Sequence, residues 1–356
     1  MAKKIVLTGG GTAGHVTPNI ALIPELRERG YEIEYIGSRK GIEKEMIEKE
    51  GLPYHIVSAG KLRRYLSAEN IADAFRVAKG LADSLKVLKK VRPDVVFSKG
   101  GFVTVPVVRA AHMLHIPVII HESDMTPGLA NKLCFSAADK VCCNFPETMK
   151  YLPESKAVLT GSPIRRELLT GSRENALAFS GLSGSKPIIL VMGGSLGAAA
   201  VNQAVRNILP ELLKDFEVIH LCGKGKLDES LVGTEGYVQF EFVSEEMRDL
   251  LNGADLIISR AGANAICEIL ALRKPNILIP LPAEASRGDQ ILNAKSFKEQ
   301  GFSYMLEEKH ITDERLLTII REVYKRKDNY IAAMNASPQS DAITMIADMA
   351  DELVEG

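Results

Sequence analysis

The chain has 356 residues with 44 basic and 45 acidic side chains, which leaves a formal net charge of −1. A hydrophobic content of 46% and a charged content of 25% are typical of a soluble globular protein of about two domains. The balanced charge argues against a nucleic-acid-binding protein, and no apolar run reaches the ~20 residues of a transmembrane helix.

The five cysteines form no C-x-x-C pair, which argues against a zinc site and against a disulfide scaffold. Cysteines in this number and spacing are most typical of a protein in the reducing cytosol. The first four residues lead directly into a predicted strand, so no signal peptide is expected.

The first predicted strand, Ile5–Thr8, leads into a glycine-rich loop and then a helix. Glycine lets a backbone approach a ligand closely. Thr17 is predicted as the helix N-cap and Pro18 as the first helical residue. The free N–H groups at such a helix start attract polar or anionic ligands. His15 is the side chain of this loop that titrates near neutral pH.

The glycine spacing of this loop matches the dinucleotide pattern G-x-G-x-x-G. However, Glu32 and Glu34 straddle the following strand, whereas a dinucleotide site places its ribose-binding carboxylate at the strand end. The alternative function of a nicotinamide-dependent dehydrogenase is therefore supported by this loop alone. No Walker A spacing is present.

Strand candidates alternate with helical patterns along the whole chain. The first series is Ile5–Thr8, Ile33–Ile36, Val95–Ser98, Val118–His121, Lys140–Cys143 and Val158–Thr160. The second series is Ile188–Met192, Val218–Leu221, Val238–Glu241, Leu256–Ser259 and Asn276–Ile279. Because the pattern restarts after a Gly/Ser-rich segment at 181–187, we expect two α/β domains with doubly wound parallel sheets.

The segment between Lys61 and Arg92 carries nine basic and three acidic residues, a local excess of six. A solvated helix face and a surface that meets an anionic membrane both fit this excess.

Four predicted strand ends carry glycine loops, at residues 9–14, 98–104, 193–197 and 259–262. One such loop is often no more than a tight turn, but four of them favour phosphate and sugar binding. No Asp-x-Asp pair occurs in the chain, so helix N-termini would have to offset the charge of a diphosphate.

Three polar side chains near these loops are candidate ligand contacts. Glu268 has two acceptor oxygens that suit the vicinal diol of a ribose, or it is a surface helix residue. Gln290 can read a sugar hydroxyl, or it is a polar residue at a helix start. Arg165 can contact a phosphate or a base, or it is a surface cation.

Together these motifs resemble the MurG family of peptidoglycan N-acetylglucosaminyltransferases, in order and over nearly the full length. The segments that carry the resemblance are Gly9–Val16, Lys99–Phe102, His121–Glu122, Gly193–Gly197, Ser259–Glu268, Asp289–Gln290 and Asn293–Ala294. The resemblance implies a GT-B fold, with two Rossmann-like domains facing across a cleft. Residues 1–162 would form the acceptor and membrane-side domain, 163–335 the UDP-GlcNAc-binding domain, and 336–356 a helix that packs back on the first domain.

The implied reaction moves GlcNAc from UDP-GlcNAc to the C4 hydroxyl of undecaprenyl-diphosphate-linked MurNAc-pentapeptide, with inversion at the anomeric carbon. The resemblance implies no cofactor and no metal. It places the protein on the cytoplasmic face of the bacterial cell membrane, bound peripherally to the anionic surface, with other cell-wall synthesis proteins as further partners. A diacylglycerol glycosyltransferase and a UDP-GlcNAc epimerase are the alternatives.

The resemblance also assigns residues. The substrate-binding set is Thr12, Ala13, Gly14, Arg165, Ser195, Val243, Ala263, Asn264, Ala265, Ile266, Cys267, Glu268 and Gln290. His15 is the leading candidate for the general base, or it braces the loop or contacts the diphosphate. His121 and Glu122 are weaker catalytic candidates.

Two positions depart from the family pattern, and one region has a proposed membrane contact. Ala13 stands where many relatives have glycine, which is tolerable only if its φ is negative. Asp289 stands where some relatives have glutamine, so only Gln290 is carried over. Phe75, Val77 and Leu81 lie in about the region of the family's membrane-binding patch.

Overall fold

The computed structural model describes residues 3–60, 69–193, 198–283, 288–337 and 341–355, with the backbone alone for 69–75. The chain divides into two compact units, the first made of Met1–Arg165 and Ser340–Gly356 and the second of Arg166–Gln339. Among the described helices, none combines the length and the apolar character needed to cross a membrane.

The first unit is built on a seven-stranded parallel sheet in the order β3-β2-β1-β4-β5-β6-β7. Its strands are β1 (Lys3–Thr8), β2 (Tyr31–Gly37), β3 (Tyr54–Ile56), β4 (Val95–Ser98), β5 (Val118–Glu122), β6 (Lys140–Cys143) and β7 (Ala157–Leu159). Its helices are α1 (Thr17–Glu28), α2 (Ile42–Lys49), α3 (Glu69–Val91), α4 (Thr104–Met113), α5 (Leu129–Cys134) and, at the chain's end, α13 (Ala342–Glu355).

Both faces of this sheet are buried, as expected for parallel strands connected by helices. Side chains alternate along β1, so Ile5 and Leu7 join one core cluster and Val6 joins another. The first cluster includes Ile346 of α13, and the second includes Leu88 of α3. The central strand is therefore fixed from both sides, which holds the loop that follows it.

Helix α13 is tied to the first unit by ion pairs as well as by apolar packing. Asp351 accepts from Lys3 at 2.8 Å, from the Arg29 guanidinium at 2.9 Å and from the Tyr31 hydroxyl at 2.9 Å. Arg29 also pairs with Asp348 at 2.7 Å. The last helix in sequence thus packs beside the first strands.

The second unit has a six-stranded parallel sheet in the order β10-β9-β8-β11-β12-β13. Its strands are β8 (Ile188–Met192), β9 (Glu217–Leu221), β10 (Tyr237–Phe240), β11 (Leu256–Ser259), β12 (Asn276–Leu278) and β13 (Tyr304–Met305). Its helices are α6 (Arg173–Ser180), α7 (Ala199–Leu212), α8 (Met247–Gly253), α9 (Ala263–Ala271), α10 (Asp289–Glu299), α11 (Asp313–Lys325) and α12 (Lys327–Ala336).

All eleven predicted strands are confirmed, with ends that move by no more than two residues. The short strands β3 and β13 were not predicted. The N-cap prediction for α1 is wrong, because Val16 is the N-cap and Thr17 is the first helical residue. A 3-10 turn at Ala13–His15 runs directly into α1, and the Thr17 hydroxyl donates to the Ala13 carbonyl at 3.0 Å.

Candidate active site

Three buried polar side chains hold the glycine loop after β1 through hydrogen bonds. The Tyr35 hydroxyl donates to the Gly9 carbonyl at 2.7 Å. The Asn19 amide donates to the His15 carbonyl at 3.1 Å. The Glu43 carboxylate accepts from the Gly11 N–H at 3.2 Å. The loop conformation is therefore fixed by hydrogen bonds from β2, α1 and α2.

The glycine loop after β4 packs against the first loop through its backbone. The Gly10 N–H donates to the Gly100 carbonyl at 3.3 Å. Gly101 has a φ of +94°, and a Cβ there would lie 2.3 Å from the Gly10 carbonyl oxygen. Only glycine fits at this crossing, so the glycines of the two motifs bring the two backbones into contact.

His15 lies at the end of the 3-10 turn and is partly buried. Its Nδ1 lies 2.9 Å from the Gly10 carbonyl oxygen and 3.3 Å from the Thr12 hydroxyl. Because a carbonyl only accepts, Nδ1 carries the hydrogen and Nε2 carries the lone pair. Burial lowers the pKa of His15 below 6.5, against the Gly10 hydrogen bond that raises it, and the charge of Lys99 lowers it further. The ring is neutral at pH 7, as a general base requires.

His121 lies at the end of β5 and is fully buried. Its Nε2 donates to the Gly161 carbonyl at 2.8 Å, and its Nδ1 accepts from the Lys99 ammonium at 2.7 Å. Burial lowers its pKa well below 6.5, and Lys99 adds to the shift. With both nitrogens engaged inside the unit, His121 positions Lys99 and has no ring nitrogen to offer a substrate.

Glu122 is also buried and holds the loop that follows β5. Its carboxylate accepts from the N–H groups of Asp124 at 3.0 Å and Gly128 at 2.9 Å. It also accepts from the Asn131 amide at 2.9 Å. This placement makes Glu122 a brace for the start of α5.

The residues predicted to meet the transferred sugar lie on the open side of the first loop. Thr12 and Gly14 are exposed, and Ala13 is partly exposed. In the part of the chain that the structure describes, Ala13 is not among the non-glycine residues with positive φ. The condition on which alanine is tolerable at this position is therefore met.

In the second unit, α9 begins after the strand end of β11, with Gly262 as its N-cap. Its first-turn residues Asn264 and Ala265 are partly exposed, and so is Glu268 one turn further on. Asn264 and Glu268 are four residues apart and so share a helix face. The face is suited to a ligand with a diol and a charged group at the helix start.

The other three residues predicted on α9, Ala263, Ile266 and Cys267, point inward. The side chain of Ile266 is 0% exposed and that of Cys267 is 9% exposed. The Ile266 N–H is bonded to the Gly262 carbonyl within the helix. Ala263 is buried at the first helical position. The helical phase thus gives Ile266 and Cys267 a packing role, and the ligand-facing candidates of α9 are its two first-turn residues and Glu268.

Gln290 is the second residue of α10, and its side-chain carbonyl accepts from the Leu281 N–H at 3.1 Å. This bond leaves the amide NH₂ as the group that can donate to a sugar. Val243 is buried just after β10. Arg165 is the last residue of the N-terminal segment of the first unit and is partly buried. Ser195 lies outside the described residues.

Glu43 is a buried residue that supports the candidate site and that the sequence did not single out. It is fully buried, and it bonds the Ser38 N–H at 3.1 Å and the Ser38 hydroxyl at 2.5 Å as well as the first glycine loop. In sequence it is one of three glutamates in an apparently solvated helix. The signal that marks it is the glycine at 41, where a Cβ would lie 1.9 Å from the carboxylate.

Across the described ranges, no group of three or more histidines, cysteines and carboxylates is arranged to hold a metal ion. The five cysteines are all buried and unpaired by disulfides. Burial raises the pKa of Cys134, Cys142 and Cys143 to about 12 each.

Comparisons with known proteins identify the family. The sequence matches the glycosyltransferase family 28 N-terminal domain over residues 5–143 and the C-terminal domain of that family over residues 188–353. A relative from Lachnospira eligens is 64% identical, with 98% of each chain covered, and one from Lachnoclostridium phytofermentans is 60% identical, with 99% of each covered. Both are named UDP-N-acetylglucosamine--N-acetylmuramyl-(pentapeptide) pyrophosphoryl-undecaprenol N-acetylglucosamine transferase.

A crystal structure of MurG from Acinetobacter baumannii superposes with a TM-score of 0.77 at 25% identity, covering 98% of this chain and 99% of that one. The two parallel-sheet units agree with this neighbour and with the GT-B expectation. The chain therefore belongs to the MurG family of glycosyltransferases, within glycosyltransferase family 28.

Proposed function

We propose that this protein transfers GlcNAc from UDP-GlcNAc to the C4 hydroxyl of undecaprenyl-diphosphate-linked MurNAc-pentapeptide. The observation that carries the proposal is 64% identity over 98% of both chains to a relative named for this reaction. The tautomer and lowered pKa of His15 fit a base that removes the acceptor proton during an in-line displacement.

The roles of the residues follow from their placement. The exposed side of the loop at residues 12–14 would meet the transferred sugar. The N-terminus of α9 would face the UDP diphosphate, since helix N-termini favour anions. Glu268 would accept from the ribose hydroxyls, and the Gln290 amide would donate to the sugar. Developing charge on the departing UDP would then be stabilised by fixed dipoles.

A peripheral location on the cytoplasmic face of the cell membrane belongs to the same proposal. Of the three apolar residues predicted to contact lipid, Leu81 is partly buried and packs against the core of the first unit. Val77 is partly buried, and the side chain of Phe75 lies outside the described residues. Basic side chains of α3 are therefore better supported as the membrane contact than Leu81.

The test uses purified protein, UDP-GlcNAc labelled in the sugar and a short-chain analogue of the lipid-linked acceptor. Label in the lipid product, with or without EDTA, is the expected result. Formation of UDP-ManNAc without acceptor would instead identify an epimerase. Transfer to diacylglycerol in preference to the analogue would identify a different lipid acceptor, and each of these outcomes would refute the proposal.

A further inference from the structure

Arg260 is a buried cation at the carboxyl edge of the sheet in the second unit. It follows β11 directly, and it is 7% exposed. Its Nη1 donates to the Ile279 carbonyl at 3.1 Å and to the Pro280 carbonyl at 3.2 Å. These two carbonyls belong to the segment that leaves β12, the strand paired with β11. One side chain therefore ties together the ends of two neighbouring strands.

The countercharge of Arg260 is Glu308, at the start of a 3-10 turn that follows β13. The Glu308 carboxylate lies 2.6 Å from Nη2 of Arg260. A guanidinium this buried needs a charged partner, because an unpaired buried charge is costly. Arginine suits the position, since its planar fork faces the two carbonyls and the carboxylate together. The ion pair thus connects the segment after β13 with the ends of β11 and β12.

The segment held by Arg260 in turn holds Gln290. Leu281 follows Pro280 directly, and its N–H donates to the side-chain oxygen of Gln290 at 3.1 Å. Because a backbone N–H only donates, the Gln290 amide turns its oxygen towards Leu281 and its NH₂ away from it. The amide group is planar, so the position of the Leu281 N–H determines the direction in which the NH₂ donates.

A second hydrogen bond fixes the helix on which Gln290 lies. The side-chain amide of Asn293, one turn further along α10, donates to the Ala261 carbonyl at 3.1 Å. Both residues are buried, and Ala261 is the residue after Arg260. With α10 held at this point, the bond to Leu281 selects the orientation of the Gln290 side chain.

We propose that Arg260 and Glu308 are positioning residues that determine how Gln290 meets the transferred sugar. The inference rests on the proposed function, in which the Gln290 amide donates to the sugar of UDP-GlcNAc. The Arg260 side chain is buried and engaged by backbone carbonyls and a carboxylate, so it acts through the backbone at 279–281. The ion pair contributes to affinity for the sugar and not to affinity for the nucleotide.

The experiment measures the Kd of UDP-GlcNAc and the Kd of UDP for the full chain by titration calorimetry. Arg260→Lys keeps the positive charge but replaces the planar fork by a single ammonium group. Glu308→Gln removes the countercharge and keeps the volume of the side chain. The matched control is Glu307→Gln, which removes one carboxylate from the same segment, where Glu307 pairs with the exposed Lys309 at 3.0 Å.

We expect Arg260→Lys and Glu308→Gln each to raise the Kd of UDP-GlcNAc roughly tenfold, the order of one neutral hydrogen bond, and the Kd of UDP by no more than about twofold. The control should leave both constants unchanged. In a Gln290→Ala background, Arg260→Lys should weaken UDP-GlcNAc binding little further, because residues that act through one contact are not additive. Thermal unfolding shows which variants are folded, and Glu308→Gln, which keeps the arginine, carries the comparison if Arg260→Lys does not fold.

Three outcomes would contradict the inference. Equal weakening of UDP and UDP-GlcNAc in the folded variants would make Arg260 and Glu308 general supports of the second unit, and it would leave the proposed function intact. Full additivity with Gln290→Ala would show that Arg260 acts through another contact, again without touching the proposed function. If the unmodified protein did not bind UDP-GlcNAc, the proposed function would fail and this inference with it.

Discussion

At the scale of single residues, one backbone carbonyl oxygen in the first loop determines which ring nitrogen of His15 can accept a proton. The Gly10 carbonyl takes the Nδ1 hydrogen of His15 and so leaves Nε2 as the acceptor. Burial and the nearby Lys99 lower the pKa of the ring and keep it neutral. The sequence predicted the histidine as the candidate base, but the tautomer depends on a backbone orientation that only the folded loop provides.

His15→Gln should lower kcat roughly 10²–10⁴-fold, the usual contribution of a general base, and leave the donor Kd nearly unchanged. Because the pKa of His15 is lowered from 6.5, wild-type kcat should hold as the pH falls to 6.5 and decline only below it. The variant should lack that decline. The measurement is a pH series of transfer rates, with the exposed His112→Gln as control. A collapse of donor affinity with kcat intact would make His15 a binding residue.

Gly101→Ala should destabilise the first unit more than an alanine at another positive-φ glycine. Both Gly101 and Gly51 have positive φ, which costs a residue with a Cβ roughly 1–2 kcal/mol. At Gly51 a Cβ meets nothing within 4 Å, whereas at Gly101 it lies 2.3 Å from a backbone oxygen. Urea unfolding of the two variants measures the difference. Equal losses would contradict the close contact between the two loops.

At the scale of elements, the sequence predicted long buried strands well and short edge strands poorly. β3 has three residues and β13 has two, and their side chains are only partly buried or exposed. Neither segment has the continuous apolar run that identifies a buried strand. The same rule applies to the candidate site residues, which stay predictions. The sequence points to residues on loops after strong strands, but it does not point to Glu43, because the burial of Glu43 depends on how α2 packs over β2.

A buried histidine between β9, β10 and α7 should make the free energy of unfolding of the second unit depend on pH. His220 is fully buried between the Tyr237 hydroxyl at 3.0 Å and the Asn202 side-chain oxygen at 3.1 Å. Burial lowers its pKa to about 3. Between pH 6.5 and 3 the unfolded chain binds this proton and the folded one does not, so the free energy of unfolding falls as the pH falls.

The expected size is about 1.4 kcal/mol per pH unit well below 6.5. His220→Gln should therefore lose about 2 kcal/mol less stability than the wild type between pH 6.5 and 5, whatever its stability at pH 7. The measurement is urea unfolding at each pH, and the exposed His112→Gln should keep the wild-type slope. Parallel pH profiles for wild type and His220→Gln would show that His220 is charged in the folded state.

At the scale of the whole molecule, the first unit is assembled from two distant parts of the chain. Helix α13 contributes Ile343 and Ile346 to the core beside β1 and α1. The match to the C-terminal family domain extends to residue 353, although this helix packs with the N-terminal sheet. The domain boundaries 1–162, 163–335 and 336–356 that the resemblance implied for this chain stay a prediction.

Ile346→Ala should destabilise the first unit by about 2–5 kcal/mol, through lost burial and the cavity left behind. Glu352→Ala, on the exposed face of the same helix, should change stability by no more than about 0.5 kcal/mol. Because the chain has no tryptophan, far-UV circular dichroism in urea is the measurement. If the two variants unfolded together, α13 would not be part of the core of the first unit.

The place of α13 has a consequence for the newly made protein. The second unit, Arg166–Gln339, is continuous in sequence and can complete its core while the chain is still being synthesised. Most of the first unit is synthesised earlier, but it lacks α13 until residues 342–355 have been added. At 5–20 residues per second, its apolar face beside β1 and α1 waits roughly 10–35 s for that helix. During that interval the apolar residues that α13 later covers stay exposed to solvent in the nascent chain.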